Sequence, residues 1–121
     1  MPRILLVADQ KEALEELAGV LDHEEEVEIL WAHDGEAALT SVADNSPPLV
    51  VVDETVGGDS GLDLIRRLIG IDAFIQTAAV SPLPRDAFHE ASEGLGIMAQ
   101  LPPRPGPAEA QQLLQTLRQH I

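Results

Sequence analysis

Five short apolar runs alternate with stretches of helical periodicity, and that alternation constrains the fold more than any other feature of the chain. The runs are RILLVA at 3–8, VEILWA at 27–32, LVVVD at 49–53, AFIQTAAV at 73–80 and LGIMAQL at 95–101. Short runs rich in Ile, Leu and Val suit strands covered on both faces. After the first, Leu14, Leu17, Ala18 and Leu21 recur at three- and four-residue steps and paint one helical stripe. Asp34 is placed to cap a second helix carrying Ala37, Ala38, Val42 and Ala43, which stops before Pro47 and Pro48. Leu62, Ile65, Leu68 and Ile69 share a third helical face over 61–69, residues 85–93 read as a fourth, short helix ending at Gly94, and the last helix starts near Pro107 and buries Ala110, Leu113, Leu114 and Leu117. A β-α unit repeated five times predicts a parallel sheet with helices on both faces, a three-layer α/β fold.

The segments between these units read as turns or loops: DHEEE at 22–26, the glycine-rich stretch after LVVVD, 81–84, and 102–106. Trp31, Phe74 and Met98 read as packing residues, and Thr77 as a residue filling a strand position.

In such a fold, ligands and chemistry gather at the carboxyl ends of the strands. Asp9 and Asp53 both stand there, as do the region from Thr77 to Ser81, Leu101 and Pro102. Asp53 has two readings: a reactive carboxylate, or a strand-end acid accepting backbone hydrogen bonds. Asp9 likewise is a ligand candidate or the cap of the first helix.

Bulk properties bound the function. The chain has 121 residues, the size of one domain, taken as 1–121, and its 45% hydrophobic content argues for a folded core. With 21 acidic and 7 basic residues the net charge is −14, which repels phosphate backbones and anionic membranes and either attracts a basic protein partner or serves only to keep the protein in solution. The absence of cysteine removes disulfides and thiolate metal sites. The start, MPRILLVADQ, does not read as a secretory leader, and no run reaches membrane-spanning length, so a cytoplasmic location is expected. Gly57, Gly58 and Gly61 lack the lysine and hydroxyl of a phosphate-binding loop, and the four histidines show no metal-ligand spacing.

Taken together, ILLVADQ, LVVVDETVGGDSGLDLIRRL and GLGIMAQLPPRPGPAEAQQLLQTL resemble the response-regulator receiver domain of two-component phosphorelay signalling, along essentially the whole chain. The resemblance implies a CheY-like, flavodoxin-like (βα)5 sandwich with strand order 2-1-3-4-5. It implies that Asp53 is the phosphoacceptor for a histidine kinase, and that Mg²⁺ would be held by Asp9, Asp53 and the backbone carbonyl of Thr55. Gly57 and Gly61 fall on the loop after the acceptor, Gly57 where the family usually has proline.

The supporting positions depart from the family pattern. The first acid of the acidic pair is Ala8. The hydroxyl position matches Ala79, which has none, or Ser81 with a gap. The lysine position matches Leu101, and the aromatic switch position matches Met98. Lys11 is the only lysine in the chain, and it and Arg104 are the candidate substitutes. Losing that cation removes a charge-assisted contact of about 1.5–3 kcal/mol from a phosphorylated state. The expectation is therefore a non-enzymatic, degenerate receiver acting through protein contacts, with residues 84–119 as docking or homodimer surface and a kinase or a neighbouring domain as partner. The alternatives are a working phosphoacceptor using Mg²⁺, and a small flavodoxin-like enzyme or flavin carrier.

Overall fold

The computed structural model describes residues 3–24 and 27–120. Its main sheet holds β1 (Arg3–Val7), β2 (Glu28–Ala32), β3 (Leu49–Val52), β6 (Gln76–Val80) and β7 (Ala99–Leu101). All neighbours pair in parallel, in the order β2-β1-β3-β6-β7. This is the expected 2-1-3-4-5 arrangement of the five apolar runs. Between them lie α1 (Glu15–Asp22), entered through a 3-10 turn at Lys11–Leu14, α2 (Gly35–Asn45), α3 (Gly61–Ile71), α4 (Arg85–Ala91) and α5 (Pro107–His120).

The period of two along each strand feeds two cores. Ile4, Leu6, Leu49 and Val51 meet Leu14, Leu17, Leu21, Leu113, Leu114 and Leu117 on the α1/α5 side. Leu5, Val7, Val50 and Val52 meet Val42, Leu64, Ile65, Leu68 and Phe88 on the other side. Full burial of each such side chain contributes about 1.5–3 kcal/mol, so the central strands β1 and β3 are the least negotiable part of the chain. Asp34 caps α2 as expected, its carboxylate accepting the Ala37 N–H at 2.8 Å.

Several expectations need correction. The strand expected over 73–80 begins only at Gln76. Asp72 accepts the Phe74 N–H at 3.0 Å, a side-chain turn that bends the chain and leaves Phe74 93% exposed rather than packed. The strand expected over 95–101 is confined to Ala99–Leu101, because Gly94 and Gly96 take positive φ (85° and 64°) and keep the preceding chain irregular. The fourth helix ends at Ala91, short of the expected 93.

The glycine-rich loop after β3 is a miniature antiparallel hairpin, β4 (Thr55–Val56) and β5 (Asp59–Ser60). Gly57 and Gly58 form its two-residue turn with φ of 62° and 84°, the left-handed pair that a type I′ turn demands. The expected turn at 22–26 includes residues 25 and 26, which lie outside the described residues.

Candidate functional site

The strand order reverses between β1 and β3, and the crevice at their carboxyl ends is where α/β sheets of this type bind ligands. Asp53 leaves β3 there, its N–H donating to Val7 O at 2.9 Å, and Asp9 leaves β1 one position beyond the buried Ala8. The two expected acids thus share one rim.

Each carboxylate already serves the backbone. Asp53 Oδ1 accepts the N–H of the next residue, Glu54, at 2.8 Å. Asp9 Oδ1 accepts the Gly57 N–H at 2.5 Å, across 48 residues of sequence. Asp9 is therefore not the cap of the first helix: Gln10 stands at the start of the 3-10 turn, without a side-chain cap. Instead Asp9 pins the β4–β5 hairpin over the rim, a long-range role that local spacing does not signal.

Gly61 follows the hairpin and opens α3, with Ser60 Oγ accepting the Leu62 N–H at 3.2 Å. A Cβ on Gly61 would lie 2.2 Å from Asp53 O and 3.2 Å from Glu54 O, so only glycine lets the helix start this close to the end of β3. The Gly61 N–H donates to Glu54 O at 2.8 Å and closes that contact. A cleft of about 260 Å³ opens beside it and brings together Glu54, Thr55, Ser60, Gly61, Ala79 and Ser81. Asp9 and Asp53 do not border this cleft. Of the two hydroxyl-position candidates, Ala79 is buried at 3% exposure, and Ser81 follows β6 with its Oγ accepting the Leu83 N–H at 3.2 Å.

The cationic side of the site is placed elsewhere. Leu101 is 1% exposed and belongs to the α1/α5 core. The Lys11 ammonium sits 4.9 Å from the ring centroid of Trp31 on edge strand β2, a cation–π pair. Arg104, at φ 54°, borders a surface hollow with Glu12, Glu15 and Glu16 rather than with Asp9 or Asp53. Among the described residues, no three His, Asp or Glu side chains are grouped to hold a metal ion. Asp9, Asp53 and the Thr55 backbone remain the donor set to be weighed for Mg²⁺, which accepts one or two carboxylates beside waters and phosphate oxygens.

A second concavity, about 550 Å³, lies between α4, β7 and α5, lined in part by Arg85, Phe88, His89, Met98, Gln100 and Gln112. Met98, the residue that the resemblance matches to the family's switch position, is half-buried against the α1/α5 core, and its N–H donates to Thr77 O at 2.8 Å. Among the described residues, no helix is long and apolar enough to cross a membrane.

The fold is that of CheY-like receiver domains. A CheY-like response regulator receiver domain protein from Methanospirillum hungatei JF-1 superposes with a TM-score of 0.79 over 99% of this chain and 93% of its own, at 18% identity. A two-component response regulator from Clostridium difficile gives 0.81 over 98% and 97% at 17% identity. A LuxR-family regulator from Aurantimonas sp. SI85-9A1 gives 0.81 over 95% and 83% at 22% identity. In sequence, the chain is 36% identical over 69 residues to the sensory transduction protein LytT of Bacillus subtilis (strain 168), a match covering 56% of this chain. That match spans 29% of LytT, less than a third of its length. No family model matches the chain.

Proposed function

We propose that this chain is a receiver-like, non-enzymatic signalling module, degenerate at its phosphoacceptor site, that works through protein contacts on the α4–β7–α5 side. The observation that carries the reading is that, among the described residues, neither candidate ammonium position serves the acidic rim: Leu101 is buried in the core and Lys11 is paired with Trp31. A transferring phosphoryl group brings negative charge to two carboxylates, and catalysis of that transfer is mostly electrostatic stabilisation. Asp9 and Asp53, both engaged by backbone N–H groups, fit a structural rim as well as a reactive one.

Intact-mass measurement after incubation with acetyl phosphate and Mg²⁺ is expected to show no stable adduct. A single phosphoryl increment that disappears in Asp53→Asn would overturn the degenerate reading. It would favour the second one, in which Asp53 accepts the group while Asp9, Asp53 and the Thr55 carbonyl hold Mg²⁺. The observation favouring that second reading is that both acids emerge on the same rim. The flavin reading predicts a yellow chromophore on purification, and a colourless preparation counts against it.

Docking is supported by charge. Residues 84–119 carry four acids and three bases of the chain's 21 and 7, so this side repels a second copy far less than the rest of the surface does. Sedimentation equilibrium is expected to show concentration-dependent dimerisation that Met98→Glu abolishes. A wild-type protein monomeric at every concentration would remove the homodimer from the proposal and leave a heterologous partner.

A further inference from the structure

The loop Ser81–Pro84, between β6 and α4, has an unusual set of backbone hydrogen bonds. Pro82 and Pro84 supply no N–H. The two remaining amides are taken: Ser81 N–H by Leu101 O at 2.9 Å and Leu83 N–H by Ser81 Oγ at 3.2 Å. Pro84 O accepts from Phe88 N–H, the first turn of α4, at 2.9 Å.

The carbonyls of Ser81 and Leu83 are both held by one side chain. Gln100 Nε2 donates to them at 3.3 Å and 2.8 Å. The orientation of that amide is fixed by chemistry, since turning it over would set its oxygen against two carbonyl oxygens. Gln100 stands on β7 between Ala99 and Leu101, which pack into the α1/α5 core, and it also lines the cleft between α4, β7 and α5.

We propose that Gln100 is a clamp: it spends both amide hydrogens on the β6–α4 loop and so holds the loop and the wall of the docking cleft in one preset state. The shape of that cleft is then a property of the resting protein and does not wait on chemistry at Asp53. The consequence for docking rests on the proposed use of the α4–β7–α5 side, whereas the clamp itself needs no partner.

Backbone amide order parameters from nuclear relaxation of the whole chain test it. Leu83 is expected to be rigid in the wild type, about 0.85, and to fall below about 0.6 in both Gln100→Met and Gln100→Glu. The first variant keeps the volume without a donor, and the second keeps the shape with two acceptors facing two carbonyls. Amides of β3 and α5 serve as the internal control and are expected to stay rigid. If Leu83 remains as ordered in both variants as in the wild type, or is already mobile in the wild type, the clamp does not exist. Loss of the clamp with dimerisation intact would separate this inference from the proposed function, and so would the converse.

Discussion

Gly61→Ala is expected to lower the free energy of unfolding by about 3 kcal/mol or more, read from urea denaturation. The added carbon would sit 2.2 Å from Asp53 O and 3.3 Å from the carbonyl carbon behind it. Both are backbone atoms, so no rotamer change relieves the overlap. The strand end cannot simply retreat either. Asp53 N–H is bound to Val7 O, Glu54 N–H to the Asp53 carboxylate, and Glu54 O to Gly61 N–H. Relief requires moving either the start of α3 or the end of β3, and each carries fully buried residues, Ile65 and Val52 among them.

Gly70→Ala is the control within the same helix. A Cβ there meets nothing within 4 Å, and the expected result is stabilisation by about 0.5–1 kcal/mol from helix propensity and a less flexible unfolded chain. Opposite signs at two glycines nine residues apart would locate the effect at the rim. A Gly61→Ala protein within about 1 kcal/mol of wild type would mean that the helix start is not locked to the end of β3.

Leu101→Lys, the single change that restores the lysine implied by the resemblance, is expected to cost about 3 kcal/mol or more and to leave the protein unreactive toward acetyl phosphate. Leu101 is 1% exposed and packed among the side chains between the sheet, α1 and α5. An ammonium in that position is either desolvated or swings out to water and leaves a void in place of the isobutyl group. Chemical denaturation measures the first expectation and intact mass the second. Wild-type stability together with an Asp53-dependent adduct would show a strand end one residue away from a working switch, and would overturn the expectation that the buried Leu101 position cannot hold an ammonium.

The elements were legible because their apolar residues follow the two backbone periods, and the parallel order followed from the β-α alternation. What escaped local reading depended on distance or on single special residues. The β4–β5 hairpin was signalled by Gly57-Gly58 between Val56 and Asp59, but strands of two residues leave no alternation to read. Phe74 sits in an apolar run, yet Asp72 diverts the chain before it can enter the sheet. Asp9 was placed on the rim by its position after β1, but its bond to Gly57 spans 48 residues and no spacing rule anticipates it. Gln100 was hidden by its neighbours: one amide in a run of apolar residues is easily taken for the outward face of an edge strand.

The pairing of Lys11 with Trp31 has a practical corollary. Trp31 is the single indole in the chain and Lys11 the single lysine, and the segment bearing that lysine begins where Asp9 leaves β1. The molecule thus carries an intrinsic optical gauge, because whatever draws this segment across the acidic edge must lift the ammonium from the ring and alter the emission of one identifiable chromophore.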